Sequence, residues 1–454
     1  MQISWANNSG FKQRNARLMC TFFCTFTASI LHALSIPAYR WRIGALLFLA
    51  TTINHLDRQV LGILAPQLQQ SYDISEAQYG LIVSTFQACF AIGLLSWGWL
   101  LDRFGIRLVY AAAMLVWSLS GMGHALARSA LGFALARAGL GLGEAGNFPA
   151  FVKVVGEWFP LKERAFAAGV VNSGANIGAI VAPLLVPYLA INFGWQWAFI
   201  GTGLIGFGWL ALWLPTYRPP RLHPKLSAQE LAFIESDRPP GQALETTSRV
   251  SYRFLLTLRA TWGVGLARFL TDPVWWIFLY WLPKFLAKNH GLDLASVGLP
   301  LLTIYLVADV GSIAGGWFSS FLLKRGYSLN TARKTTMLLA GLCVVPIFFA
   351  SRTTDLWTAV ALTSLAVAGH QAWAANIFTL HSDLFPPRMV ASATGLTGFI
   401  GAIGGMLVAP LVGAVLGWSG SYVPIFTVAS LAYLVGWGLL HWLVPRIAPL
   451  QLGE

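Results

Sequence analysis

Apolar stretches of about 20 residues follow one another along nearly the whole chain, and no other feature limits the fold as strongly. They are expected at 43–64, 80–101, 107–127, 130–151, 165–190, 197–215, 263–286, 297–321, 334–350, 356–381, 390–416 and 422–444. Lipid offers no partner for backbone N–H and C=O groups, so such a stretch crosses a bilayer as a helix, which satisfies them internally. The composition agrees, with 56% hydrophobic and 10% charged residues, 20 tryptophans and a mean hydropathy of +0.63. The expected class is an all-α membrane protein with twelve transmembrane helices.

A formal net charge of +13 would suit a nucleic-acid partner, but the placement of the cations argues otherwise. With both termini in the cytoplasm, 23 of the 30 Lys and Arg residues fall on the cytoplasmic side. Four (Arg128, Lys284, Lys288, Arg352) fall in outside loops and three (Arg58, Arg137, Arg268) within the membrane. That bias follows the positive-inside rule and sets the orientation. No nucleic-acid partner is expected. Cys20, Cys24, Cys89 and Cys343 form neither C-x-x-C nor a metal-ligand spacing, and read as small core residues. No cofactor or metal is expected. No nucleophile–base set or phosphate loop points to an enzyme.

Ionisable residues inside apolar spans are costly and mark transport routes. Arg137 and Glu144 lie seven residues apart in 130–151, on one helix face but roughly 10 Å apart along the axis. Each therefore needs a partner other than its neighbour. Gly141-Leu142-Gly143-Glu144-Ala145-Gly146 fits G-x-G-x-x-G literally, yet that fingerprint belongs between a strand and a helix. Here the glycines let a neighbouring helix come close. Asp57 and Arg58 form a second buried pair, pointing about 100° apart on their helix and so toward different partners. Arg268 and Asp272 stand at i,i+4, the spacing of an intrahelical ion pair, before the aromatic run Trp275, Trp276, Tyr280. That run suits either a lipid belt or a sugar-facing lining. Asp309 is a lone carboxylate in its span, either a hydrogen-bonded structural group or a titratable one.

The chain also repeats itself. Phe159 and Phe385, Pro160 and Pro386, and Gly169 and Gly395 are each separated by 226 residues, and His370 stands 226 after Glu144. Two six-helix parts around a central site follow, 43–215 and 261–446. Between them, 216–260 is rich in proline and basic residues and reads as a cytoplasmic linker. Ser227 and Glu230 have capping-box spacing for a short helix there. Residues 1–42 form an extra N-terminal segment of unknown role, suited to an interfacial helix, and 447–454 a C-terminal tail. His381 and Asp383 fall near the cytoplasmic end of their span, as gate or helix-end structure.

Gly98, Asp102, Arg103, Gly105 and Arg107 match G-x-x-x-D-R-x-G-x-R, the cytoplasmic loop motif of the major facilitator superfamily, in which paired charges latch helix ends. Together with the Arg137–Ala150 stretch, Asn172-Ser173-Gly174-Ala175-Asn176, Arg268–Trp276 and His370–Leu380, it makes the chain resemble the anion:cation symporters of that superfamily, and among them bacterial hexuronate transporters. The resemblance runs from about residue 41 to 446. It implies alternating access in the bacterial inner membrane, with a proton and a small organic anion such as glucuronate or galacturonate as partners, acting as a monomer. It also implies Asp57 and Glu144 as proton-linked carboxylates and Arg58 and Arg137 as first-half cations. Asn172, Asn176, His370, Gln371 and Asn376 would be polar contacts of the substrate. His55, Phe90, Trp276, Tyr280 and Asp309 complete the candidate pocket. His55 and Phe90 replace tyrosines common in these carriers, which bears on the identity of the acid.

The chemistry runs the same way. Arg offers a carboxylate a bidentate partner, and an unprotonated Glu144 would hold the carrier empty until a proton and the anion bind together. The same machine for another organic anion, an aldonate or an aromatic carboxylate, is the nearest alternative. A non-transporting membrane sensor is the next.

Overall fold

The computed structural model describes residues 38–236, 251–292 and 298–450. The described residues hold no strand, and helices account for every apolar stretch. We number them α1 (Tyr39–Tyr72), α2 (Glu76–Phe104), α3 (Ile106–Gly123), α4 (Ala130–Glu144), α5 (Asn147–Trp158), α6 (Leu161–Phe193) and α7 (Trp195–Thr216). Two short helices, α8 (Ala228–Glu235) and α9 (Tyr252–Thr257), lie in the linker. Then come α10 (Arg259–His290), α11 (Gly298–Lys324), α12 (Leu329–Val344), α13 (Ile347–Ala350), α14 (Leu356–Leu384), α15 (Val390–Ser419) and α16 (Val423–Leu443). The extra segment expected at 1–42 lies outside the described residues up to position 37, and 39–42 already belong to α1.

Two spans expected to be continuous are broken. The stretch 130–151 is α4 and α5, with the break at Ala145–Gly146, because Pro149 has no N–H to continue the ladder. The carbonyls released there find other donors. Asn54 Nδ2 donates to Glu144 O at 3.2 Å and Trp97 Nε1 donates to Leu142 O at 2.6 Å. Pro346 divides 334–350 into α12 and α13 in the same way.

Eight passes among the described residues are long and apolar enough to cross a membrane by length and composition: α2, α3, α6, α7, α11, α12–α13, α15 and α16. The four that fall short of that mark are α1, α4–α5, α10 and α14. Those same four carry Asp57 and Arg58, Arg137 and Glu144, Arg268 and Asp272, and His370 and Gln371. They are less apolar because part of each faces the protein's own polar interior.

The linker does more than connect. Ser227 caps α8 by accepting from Glu230 N, but the Glu230 carboxylate does not complete the capping box. It reaches instead to Tyr39 N (3.0 Å) and Arg40 N (3.1 Å), and so caps α1, 190 residues away. Arg40 also bonds Glu163, tying α1, α6 and α8 together.

The two sets of six passes meet at the end that carries Gly98–Arg107, along two seams of glycine. A Cβ on Gly98 would lie 2.6 Å from Ala391 O, and one on Gly395 would lie 2.2 Å from Leu94 O. In the other seam, Gly316 would meet Ala165 O at 2.3 Å and Gly169 would meet Ser312 O at 2.5 Å. The pairs are related by the internal repeat. Asp102 strengthens the first, accepting from Ser392 N (2.7 Å) and Ala391 N (3.3 Å) at the start of α15. Ser320 stands in the matching place of the second and accepts from Phe166 N at 3.3 Å.

The neighbouring charges Asp102 and Arg103 take different partners. Adjacent helical residues point apart, so Asp102 takes Lys153 Nζ at 2.7 Å while Arg103 lies over the Trp99 and Phe104 rings. Gly105 adopts φ +84° between α2 and α3, and Arg107 donates to Leu214 O. Asp383 crosses the same interface, bonding Arg164 and Arg333 at 2.8 Å each.

Candidate binding site at the centre of the helix bundle

Beyond the closed end, the two sets of helices enclose a cavity. Its first wall is built by α1, α2, α5 and α6 through His55, Arg58, Gln87, Phe90, Phe148 and Asn172. The opposite wall is built by α10, α14 and α15 through Arg268, Asp272, Trp275, Trp276, His370 and Gln371. Trp373 and Phe378 add to it, and Gly398, Gly401 and Ala402 leave it room.

Arg58 is fixed from three sides. Its Nε and Nη2 donate to Glu144 Oε2 at 3.0 and 2.9 Å, and the guanidinium lies over the Phe86 and Phe90 rings, 5.0 and 4.9 Å from their centroids. Glu144 is fully buried behind it. Removing one partner from such a buried pair costs about 3–5 kcal/mol, so the contact is held unless something replaces it. Arg137 lies beyond the same cluster, donating to the Arg58 backbone oxygen at 3.1 Å and facing Phe86. As its spacing requires, it does not reach Glu144 directly. Asp57 is buried without an ion pair to Arg58, and neither of its carboxylate oxygens has a hydrogen-bond partner among the described residues. The glycines between Arg137 and Glu144 serve packing, since added Cβ atoms would meet Phe86 O at Gly141 and Trp117 N at Gly143.

The second wall carries its own ion pair. Arg268 Nη2 lies 2.9 Å from Asp272 Oδ2, the i,i+4 pair that the sequence predicts. His370 stacks on Trp275 at 5.0 Å and 10°, and its Nδ1 meets Tyr433 OH at 2.5 Å. Between the walls runs a chain of amides. Asn172 Nδ2 donates to Gln371 Oε1 (2.8 Å), Gln371 Nε2 to Asn176 Oδ1 (3.2 Å), and Asn176 Nδ2 to Asp309 Oδ1 (2.7 Å).

Of the residues expected at a site, Arg58, Asn172, His370, Gln371, His55, Phe90 and Trp276 therefore line the cavity. Asp57, Arg137, Glu144, Asn176 and Asp309 stand behind the lining; Arg137, Glu144 and Asn176 are hydrogen-bonded to it, and Asp309 is joined through Asn176. Asn376 faces elsewhere, donating to Gly315 O and Ala372 O against α11. The side chain of Tyr280 lies outside the described residues. Sequence reasoning passed over Gln87 and Tyr433, and it left Arg268, Asp272 and Trp275 out of the candidate site. For Arg268 and Asp272 a signal existed, two charges inside an apolar span. Their mutual pairing accounted for both charges and concealed that both face the cavity.

Residues 47–409 match the Major Facilitator Superfamily. The chain is 33% identical to the hexuronate transporter of Escherichia coli (strain K12) over 91% of its length and 96% of the relative's. It is 34% identical to the galacturonate transporter of Dickeya chrysanthemi over 68% of this chain and 90% of that one. The structure of the proton:xylose symporter XylE superposes with a TM-score of 0.74 at 16% identity, covering 90% of this chain and 96% of that one. The fucose:proton symporter FucP of E. coli superposes at 0.68 and 17% identity, covering 89% and 99%. The chain belongs to the Major Facilitator Superfamily, and it is a multi-pass membrane transporter rather than an enzyme.

Proposed function

We propose that the protein is a proton-coupled importer of a sugar-acid anion, a hexuronate such as glucuronate or galacturonate, working by alternating access. The observation that carries this is Arg58, a guanidinium facing the cavity while a fully buried carboxylate holds it from behind. A substrate carboxylate and Glu144 then compete for one cation. A proton on Glu144 ends its hold, and Arg58 can turn its bidentate face to the anion. In this reading Asp57 is the second proton-linked carboxylate and Arg137 supports Arg58. Asn172, His370 and Gln371 read the sugar hydroxyls, with Asn176 supporting Gln371 from behind. The relatives named as hexuronate and galacturonate transporters support the same substrate class.

The two seams give the rocking motion its closed end, and Asp102 is the latch that must let go of α15. In this reading the termini, the linker and the latch lie in the cytoplasm of a bacterial inner-membrane protein that acts as a monomer, an orientation supported by the excess of Lys and Arg on that side.

The test is uptake of labelled glucuronate into proteoliposomes under an imposed pH gradient, with a panel of competing acids. Uptake should follow the gradient, and Glu144→Gln should exchange substrate but no longer concentrate it. Uptake indifferent to the gradient rejects the coupling. An aldonate or aromatic acid that outcompetes both hexuronates reassigns the substrate.

A further inference from the structure

The two guanidiniums facing the cavity are held differently, and the difference bears on which end of a substrate each can take. Arg58 has its carboxylate behind it, since the Glu144 side chain is 0% exposed and outside the lining. Arg268 has its carboxylate beside it. Asp272 lines the cavity with Arg268, and its side chain is 26% exposed. One wall thus offers a cation alone, and the other a cation and an anion together.

That second wall is shaped for its ion pair. A Cβ on Gly401 would lie 2.3 Å from Asp272 Oδ2, and one on Gly398 would lie 3.1 Å from Arg268 Nη1. A Cβ on Gly405 would lie 2.5 Å from Trp276 Nε1. These residues sit three or four apart, along one face of α15, so the groove that receives the pair runs down a single helix. With any larger residue there, Asp272 could not occupy its present place.

The chemistry of the two walls selects different groups. A carboxylate only accepts hydrogen bonds, whereas a hydroxyl both donates and accepts. A guanidinium and a carboxylate side by side satisfy a hydroxyl in both senses, and the Trp275 and Trp276 rings offer apolar faces to sugar C–H groups. A second carboxylate arriving there would meet a like charge at contact distance. Such repulsion is a common route to specificity.

We propose that the substrate lies with its carboxylate toward Arg58 and its neutral polyhydroxy end toward Arg268 and Asp272, and that Asp272 excludes sugar diacids. The proposal rests on the sugar-acid reading above.

The experiment is competition against labelled glucuronate counterflow by unlabelled glucuronate, galactonate and galactarate, on the full chain in proteoliposomes. For the wild type, the two monoacids should compete and galactarate should be weaker by roughly tenfold or more, a factor equivalent to ~1.4 kcal/mol. Asp272→Asn should raise galactarate relative to glucuronate by about the same factor, whatever it does to the absolute rate. Asp272→Glu, which keeps the charge, should keep the discrimination and covers the case in which the asparagine variant does not fold. Galactarate competing as well as glucuronate in the wild type overturns the proposal and leaves the sugar-acid reading intact. An unchanged ratio in Asp272→Asn overturns it as well. Failure of all three acids to exchange overturns the sugar-acid reading, and this assignment with it.

Discussion

Gly395→Ala should act on one conformation of the carrier and spare the other. In the closed seam the new Cβ would lie 2.2 Å from Leu94 O, a backbone atom in the middle of α2. Cβ atoms essentially never come within 3.0 Å of such an atom, so the two helices must part by about 0.8 Å or more. Overpacking of this kind costs typically 1–3 kcal/mol. Once the seam has opened the clash is gone, so nearly all of that cost falls on the closed state. The expected shift is about 5- to 150-fold against closure at this end. Gly208→Ala is the control, since a Cβ there meets nothing within 4 Å and alanine is the better helix former by about 1 kcal/mol. The assays are counterflow rate in proteoliposomes and thermal unfolding in detergent. Gly395→Ala should lower the turnover rate by about fivefold or more, while Gly208→Ala leaves it near wild type and melts no lower. Equal behaviour of the two variants would refute the seam as a tight, state-specific contact.

Asp102→Asn keeps the shape of the latch and removes its charge, which faces Lys153 and the start of α15. Charges at a helix N-terminus are worth about 0.3–1 kcal/mol, up to about 2 when partly buried, so uptake should fall several-fold with expression unchanged. Glu230→Gln weakens the cap on α1, and a loss of about 1 kcal/mol should appear as a lower unfolding midpoint. His223, in the linker against Tyr39 and Trp158, has its pKa pushed below 6.5 by burial. Its neutral form therefore favours the folded state above pH 6.5, and that contribution fades as the pH falls. Between pH 7.5 and 5.5 the wild type should lose more thermal stability than His223→Gln, and parallel loss in both would contradict the assignment.

Hydropathy placed the helices because bilayer crossing is a matter of length and polarity, which a one-dimensional pattern records. It overlooked the breaks in 130–151 and 334–350, although Pro149 and Pro346 were in view. Apolar character continues through both, and the window saw only that. Charge marked four of the inward-facing passes, those that carry Arg58, Glu144, Arg268 and His370, whereas α2, α6 and α15 line the cavity with no charge there to show it. Which way each side chain turns was less accessible. Asn376 shares a helix and a motif with His370 and Gln371, yet six residues is 600° of rotation, which sets it 120° round from His370 and against α11. Partners far apart in sequence were out of reach altogether. Nothing in a linear reading joins Asp102 to Lys153 or His370 to Tyr433, because those contacts come from helix packing.

The amide chain between the walls has a direction as well as a position. An ionised Asp309 can only accept, so Asn176 must offer it Nδ2 and turn its own Oδ1 back toward Gln371. Gln371 must then present Oε1 to Asn172, whose Nδ2 is committed there and to Ser312. What remains of Asn172 for the cavity is a carbonyl oxygen. A carboxylate three hydrogen bonds away from Asn172 thus decides whether that point of the wall accepts or donates. With asparagine at 309 the string could run either way, and the wall would lose its fixed sign without losing a single atom of volume.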